Sequence, residues 1–256
     1  MSLSGKSALV TGAAGGIGGA ICVEFLKNGL KHLAALDLCA DEPEIVSEWR
    51  KNFPTATVTY FQADVSCPED LQKTYNAFVS SIESLDIVVN CAGFFNERAR
   101  KKMIDVNFYG LVESTFLAIE HMRKDRGSGK GGVIISIASC TGLVPLSLLP
   151  TYSATKQAVV SFTRSLAFDR EYMGIKFLSI CPAGTKSQMY NSILDPANFY
   201  ESTDAKMEIL RAALVPQEAE EAGKAAVKLI QEAKSGSSWL LEGGMLTETP
   251  LPEIQL

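Results

Sequence analysis

Tyr152 and Lys156, in the run Tyr-Ser-Ala-Thr-Lys that begins just after Pro150, are the residues whose types and spacing point most directly to chemistry. Residues four apart share one face of a helix, so the phenol and the ammonium would face the same cleft. A phenol with a pKa near 10 is a poor base at neutral pH. A neighbouring Lys⁺, joined by a second bound cation, favours the phenolate and lowers that pKa. Bringing the phenol into the range useful for acid–base catalysis needs about 3–4 kcal/mol of differential stabilisation, within the reach of two cations in a desolvated site. Ser139, 13 residues upstream at the end of an apolar run, is placed to hydrogen-bond a substrate oxygen and steady charge developing on it. Taken alone, a Tyr-x3-Lys pair also describes many surface helices.

A second pattern near the start of the chain changes that balance. Thr11-Gly12-Ala13-Ala14-Gly15-Gly16-Ile17-Gly18 follows a strand pattern and opens a helical one. Glycine removes Cβ atoms where backbone turns sharply or approaches a pyrophosphate, and the helix N-terminus offers N–H donors and positive dipole to the anion. The spacing Gly12-x3-Gly16-x-Gly18 is a variant of the dinucleotide fingerprint, although any tight β–α turn uses glycine as well. Asp37 closes the second strand pattern, 25 residues past Gly12, where a carboxylate can accept hydrogen bonds from adenosine ribose hydroxyls. Its charge would repel a 2′-phosphate, and no Arg or Lys stands among Ala13, Ala14 and Gly15 to accommodate one. NAD is therefore the expected cofactor rather than NADP, its oxidised nicotinamide being the second cation beside Tyr152. The plainer alternative for Asp37 is a solvated aspartate at a strand end.

The elements that must position these residues alternate along the chain. Short apolar, β-branched runs at 7–11, 32–37, 58–62, 87–91, 133–137, 176–181 and 238–241 have the character of strands covered on both faces. Helical periods lie between them at about 17–28, 44–52, 69–82, 101–123, 152–172 and 217–234, the first stopped by Gly29 and the last following Val-Pro. This alternation implies right-handed crossovers and a Rossmann-type, doubly wound α/β sheet of about seven parallel strands with helices on both faces. A single dinucleotide-binding and catalytic domain is expected over residues 1–256. Asp64-Val65 and Asn90-Cys91-Ala92-Gly93 then fall at the carboxyl edge, where ligands bind in open parallel sheets, although turn chemistry alone also selects such residues. Residues 127–132 form a flexible glycine-rich turn, and the mixed stretch 186–215 is the expected substrate-covering segment.

Composition sets the outer bounds. With 46% hydrophobic and 21% charged residues and a net charge of −5, the chain is an ordinary globule without electrostatic attraction to nucleic acid or anionic membranes. No apolar run is long enough to span a bilayer and no secretory leader pattern opens the chain, so a cytoplasmic location is expected. The final Pro-Glu-Ile-Gln-Leu matches neither a prenylation box nor a peroxisomal signal. Six scattered cysteines without a Cys-x2-Cys pair, and only two histidines, argue against a metal site and for free thiols in a reducing compartment. Serine-hydrolase chemistry is disfavoured, because no Gly-x-Ser-x-Gly elbow surrounds Ser139.

Over essentially its whole length the chain resembles the short-chain dehydrogenase/reductase family. The likeness runs through TGAAGGIG, Asp37, Asp64-Val65, the NCAG at 90–93, the Val-Asn-Phe-Tyr-Gly at 106–110, Ser139, YSATK and Cys181-Pro182-Ala183-Gly184. The stretches NERARKKMIDVNFYG, KGGVIISIAS and LPTYSATKQAVVSFTRSLA are most similar to insect-type alcohol dehydrogenases and 15-hydroxyprostaglandin dehydrogenases. The resemblance implies cofactor contacts from Gly12, Gly16, Ile17, Gly18 and Asp37, from Asp64 and Val65 at the adenine, and from Asn90, Ala92 and Gly93 beside the adenosine. It implies that Tyr152 and Lys156 hold the nicotinamide ribose and that Pro182, Gly184, Thr185 and Ser187 lie near the nicotinamide. It adds Asn107 to the catalytic group, in a proton relay through Lys156. It also implies a homodimer or homotetramer built on helices 101–123 and 152–172.

Several positions depart from the family's usual pattern. Cys91 replaces the second Asn of Asn-Asn-Ala-Gly, Pro-Gly reads Pro182-Ala183-Gly184, and Ser187 replaces a threonine. Leu149 aligns with a glutamine of the prostaglandin enzymes, so the substrate contacts Ser139, Leu149 and Tyr152 would sit in a more apolar pocket near Leu143, Leu146 and Leu148. The implied activity is NAD-dependent hydride transfer between a small hydrophobic alcohol and the nicotinamide, giving the aldehyde or ketone. A carbonyl reductase working in reverse and a catalytically silent binding protein on the same fold are the competing expectations.

Overall fold

Alternation along each strand decides how the sheet is covered. In β1 (Ser7–Thr11), Ala8 and Val10 join one core cluster while Leu9 joins the other, and Val89/Val88 and Ile135/Ile134 divide the same way in β4 (Ile87–Asn90) and β5 (Gly132–Ile137). On the first face lie α1 (Gly16–Lys27), α2 (Glu44–Asn52) and α9 (Glu220–Glu232); on the second lie α3 (Pro68–Val79), α5 (Gly110–Met122) and α6 (Pro150–Ala167). The remaining strands are β2 (His32–Asp37), β3 (Thr57–Gln62), β6 (Ile175–Pro182), β7 (Ser238–Glu242) and β8 (Met245–Thr249). The remaining helices are α4 (Arg100–Ile104), α7 (Gln188–Leu194) and α8 (Asp204–Ala213). This computed structural model describes residues 1–168 and 170–250, so the C-terminal Pro-Glu-Ile-Gln-Leu lies outside the described residues.

The sheet order is β3-β2-β1-β4-β5-β6-β7-β8, and β1 to β7 pair in parallel throughout. The chain winds outward from β1 to β3 and then crosses to β4 on the other flank of β1. Thr11 stands beside Asn90 at this reversal, the place where doubly wound sheets open a crevice. The eighth strand was not expected: β8 returns antiparallel on β7 through Gly243 (φ +55°) and Gly244 (φ +78°), two left-handed residues that suit a two-residue hairpin.

Three helices differ from the sequence expectation. The period over 101–123 is broken by a π-helical turn at Asp105–Tyr109 between α4 and α5. The helix expected over 152–172 starts earlier, with Pro150 in its first turn, and ends at Ala167; a 3₁₀ turn at Glu171–Met173 follows, and residue 169 lies outside the described residues. The helix expected from 217 begins at Glu220, because Gln217 is drawn into a parallel bridge with Thr185, its N–H donating to Gly184 O at 2.8 Å. Among the described residues no helix is long and apolar enough to cross a membrane.

Asn90 is buried and turned into the helical layer. Ser114 Oγ donates to Asn90 Oδ1 at 2.6 Å, and Asn90 Nδ2 donates to Thr115 Oγ1 at 2.9 Å, tying β4 to α5. Asn90→Ala removes both bonds from a buried site, so urea unfolding should show a loss of about 1–3 kcal/mol. An unchanged unfolding midpoint would contradict this structural role.

Candidate active site

A cleft of about 390 Å³ opens at the carboxyl edge of the sheet. Of the residues singled out above, Gly12, Gly16, Ile17, Gly18, Asp37, Asp64, Val65, Ala92, Gly93, Ser139, Leu149, Tyr152, Lys156, Pro182, Gly184, Thr185 and Ser187 line it. Asn90 and Asn107 do not, being committed to the protein behind the cleft wall.

At one end of the cleft the β1–α1 turn is held by its neighbours. Gly12 has φ +66°, and a Cβ there would lie 2.8 Å from Ala92 Cα; one on Gly18 would collide with the Gly12 carbonyl oxygen. These glycines are thus required by the protein's own backbone before any ligand is considered. Thr11 Oγ1 accepts from Cys91 N at 3.0 Å and Ala92 N at 3.1 Å, which fixes the β4 loop against the turn. The α1 N-cap, Gly15, supplies no side-chain cap, leaving first-turn donors facing the cleft. Asp37 Oδ2 accepts from Ala14 N at 2.9 Å and Oδ1 from Leu38 N at 2.8 Å, so its carboxylate is fixed at the lip of the same turn. Asp64 Oδ1 caps its own turn by accepting from Ser66 N at 2.9 Å. A glycine turn at a helix start with a carboxylate beside it is a donor and acceptor set that fits a dinucleotide.

At the other end, Ser139 ends the extended run after β5 and its Oγ accepts from Thr141 N at 3.2 Å, starting a 3₁₀ turn. Lys156 is 3% exposed; its Nζ donates to Ile137 O at 2.9 Å and stands 5.7 Å from the Tyr152 ring centre. Burial pushes the Lys156 ammonium down to about 8. Burial also raises the Tyr152 phenol well above its ordinary value, with the Ser139 hydroxyl offsetting part of that rise. In the protein alone the phenol is thus raised, and the lowering expected beside Lys156 concerns the site with the oxidised nicotinamide in place. Desolvation outweighs a lysine that lies over the ring and spends its hydrogen bond on a backbone carbonyl.

Asn107 is fully buried in the π-helical turn. Its Oδ1 accepts from Phe94 N at 2.7 Å, and its Nδ2 donates to Phe94 O at 2.9 Å and to Thr155 Oγ1 at 3.4 Å. It braces the β4–α4 loop against α6 and makes no direct hydrogen bond to Lys156. Ser187 uses its hydroxyl as the N-cap of α7, accepting from Tyr190 N at 3.1 Å. Two further residues carry no motif. Met189 of α7 brings its Sδ to 3.7 Å from the Tyr152 hydroxyl, and buried Glu97 accepts from Tyr152 N at 2.9 Å. No sequence signal marks Glu97, whose burial and partners appear only in the fold.

A doubly wound sheet whose switch point carries a glycine turn, and whose next strands bring a serine, a tyrosine and a lysine to the same edge, has the architecture of a nucleotide-dependent oxidoreductase. The chain belongs to the short chain dehydrogenase family, whose sequence profile matches residues 6–198. It is 34% identical over 209 residues to the NAD(+) 15-hydroxyprostaglandin dehydrogenase of Homo sapiens, covering 80% of this chain and 78% of that protein. The Rattus norvegicus enzyme of the same name is 34% identical over 210 residues, with the same coverage. Among solved structures, L-sorbose reductase from Gluconobacter frateurii, complexed with NADPH and L-sorbose, superposes with a TM-score of 0.80 at 26% identity, covering 96% of this chain and 98% of that one. The NADPH-dependent 3-quinuclidinone reductase from Rhodotorula rubra shares the fold, with a TM-score of 0.79 at 23% identity over 95% and 92% of the two chains.

Because burial penalises the charged Lys156 only in the folded state, its cost is fully present below about pH 8 and is relieved as pH rises toward the ordinary lysine value of 10.5. Wild type should therefore gain stability relative to Lys156→Met between pH 7 and pH 9.5 in urea unfolding. A pH-independent difference would rule this out.

Proposed function

We propose that this protein is an NAD-dependent dehydrogenase that oxidises hydrophobic alcohols to the aldehyde or ketone. The observation that carries it is the convergence of buried Ser139, Tyr152 and Lys156 on the apolar end of a cleft whose other end presents Asp37. NAD, when bound, supplies the nicotinamide ring that accepts the hydride. Gly12, Gly16, Ile17 and Gly18 would hold the pyrophosphate, Asp37 the adenosine ribose, and Asp64, Val65, Ala92 and Gly93 the adenine side. Pro182, Gly184, Thr185 and Ser187 border the nicotinamide end. Ser139 donates to the substrate oxygen, Tyr152 takes its proton, and Lys156 supplies the positive charge that favours the phenolate. Asn90 and Asn107 act behind the site, holding the β4 loop. Residues 186–215 cover the substrate, with Leu149 and Met189 among its neighbours.

The raised Tyr152 phenol supports a second direction, in which the protonated phenol gives its proton to a carbonyl being reduced. The same residues serve both, and Asp37 tips the balance toward NAD and oxidation. We place a subunit interface on α4, the π-helical turn and α5, where Ile104, Tyr109 and Phe116 are exposed, and the protein in the cytoplasm, consistent with six free cysteines.

Tyr152→Phe should lose at least about a thousandfold in kcat while binding NADH as wild type does, and long apolar alcohols should exceed ethanol in kcat/KM. Retained turnover in that variant would remove the assignment. Asp37→Ala should shift the NADP-to-NAD ratio of kcat/KM upward by about a hundredfold, since it deletes a like charge facing the 2′-phosphate. Unaltered cofactor preference on side-by-side kinetics would show that Asp37 does not choose the cofactor.

A further inference from the structure

Glu97 lies in the loop between β4 and α4, is 4% exposed, and lines no part of the cleft. Its carboxylate is nonetheless bound to the helix that carries Tyr152 and Lys156. Oε1 accepts from Tyr152 N at 2.9 Å and Oε2 from Thr151 N at 3.3 Å. The residue preceding this helix, Leu149, provides no side-chain cap, so Glu97 supplies from a distant loop the acceptors that the first turn of α6 lacks. An anion at a helix N-terminus is favoured, and a buried carboxylate without hydrogen bonds is costly, so both partners gain from this contact.

The same loop holds the covering segment. Glu97 N donates to Asn198 O at 2.8 Å, and Asn96 Nδ2 donates to Asn198 Oδ1 at 3.0 Å. Phe95 meets the Tyr152 ring edge-on at 5.6 Å and rests against Phe199 at 5.4 Å. Residues 95–97 therefore grip Tyr152 by ring and backbone and grip the covering segment at Asn198 and Phe199.

We propose that Glu97 is a positioning residue for the acid–base tyrosine, and that Phe95, Asn96 and Glu97 make the alignment of Tyr152 depend on the seated position of the covering segment. This role rests on the dehydrogenase activity proposed above. A phenol displaced by about 1 Å from its working geometry loses on the order of a hundredfold in rate, whereas the dinucleotide end of the cleft is untouched.

The test compares Glu97→Ala, Glu97→Gln, Asn198→Ala and Tyr152→Phe in the full chain, measuring kcat, KM for NAD and a long-chain alcohol, NADH affinity by fluorescence, and the pH profile of kcat. Glu97→Ala should bind NADH within about twofold of wild type, lose about 10- to 100-fold in kcat, and shift the pH at which kcat is half-maximal. Glu97→Gln keeps one acceptor for Tyr152 N and should recover part of that loss. Asn198→Ala should lower kcat and raise KM for the alcohol without changing KM for NAD. Wild-type kcat and pH profile in a folded Glu97→Ala would overturn the role. If that variant does not fold, Glu97→Leu, which fills the site without an acceptor, takes its place, and the same wild-type values there overturn the role. An inactive Tyr152→Phe beside normal Glu97 variants defeats the positioning role alone, whereas an active Tyr152→Phe defeats the parent activity.

Discussion

The burial of the Lys156 ammonium constrains everything around it. A charge taken out of water is tolerated only where hydrogen bonds and geometry compensate, and among the described residues the compensating bond runs to Ile137 O. That bond pins α6 against the end of β5, which is where Ser139 begins its turn. The approach is close enough that a Cβ on Gly142 would lie 2.8 Å from Lys156 O. The nearby Cys91 and Cys181 thiols are each pushed up to about 12 by burial, so they remain neutral and do not cancel the lysine's charge. The acids of the cleft are spent elsewhere, Asp37 on Ala14 and Leu38 and Asp64 on Ser66. The field of Lys156 is left for the phenol and for whatever occupies the cleft.

The sheet makes that arrangement possible from segments far apart in sequence. Parallel register puts Thr11 beside Asn90, Asn90 beside Ser136 and Ser136 beside Ser179, so the loops that follow β1, β4, β5 and β6 all emerge on one edge. Behind that edge, buried polar side chains lock the loops: Thr11 holds Cys91 and Ala92, Asn107 holds Phe94, and Asn90 anchors β4 to α5. Each satisfies backbone or side-chain groups that would otherwise be buried without partners. Conformational strain at the site is kept to Gly12, the residue type that tolerates it.

Much of this was legible in the sequence because doubly covered strands and amphipathic helices have distinct periods. Most of the seven parallel strands are nearly continuous apolar runs, whereas β8 sits at the sheet edge as Met-Leu-Thr-Glu-Thr, too polar to stand out. The π-helical turn holding Asn107 adds one residue to a helical period and leaves the apolar pattern nearly intact. Glu97 was invisible because its partners Thr151 and Tyr152 lie 54 and 55 residues away. Burial of the Tyr152 phenol was equally invisible. Counting nearby charges needs only sequence neighbours, whereas desolvation depends on how the whole cleft closes.

Closure also bears on which alcohol the proposed activity would take. The segment at 186–215 leaves and re-enters the fold at the Thr185–Gln217 bridge, with Tyr190 Oη donating to Leu214 O at 2.7 Å across its interior. Its inner face sets Met189 beside Leu149 and Tyr152 in one apolar cluster, with the thioether 3.7 Å from the phenol oxygen. In the proposed activity a substrate hydroxyl would take the place that the sulfur now holds. Methionine is flexible enough to yield, but the contacts it gives up must be replaced. At about 25 cal/mol per Å² of apolar surface buried, an ethanol molecule has little to offer in exchange, while a long hydrocarbon chain lying along Leu149, Ile193 and Leu214 has a great deal. Selectivity for apolar alcohols would then arise from the need to displace Met189 rather than from any polar group that reads the substrate.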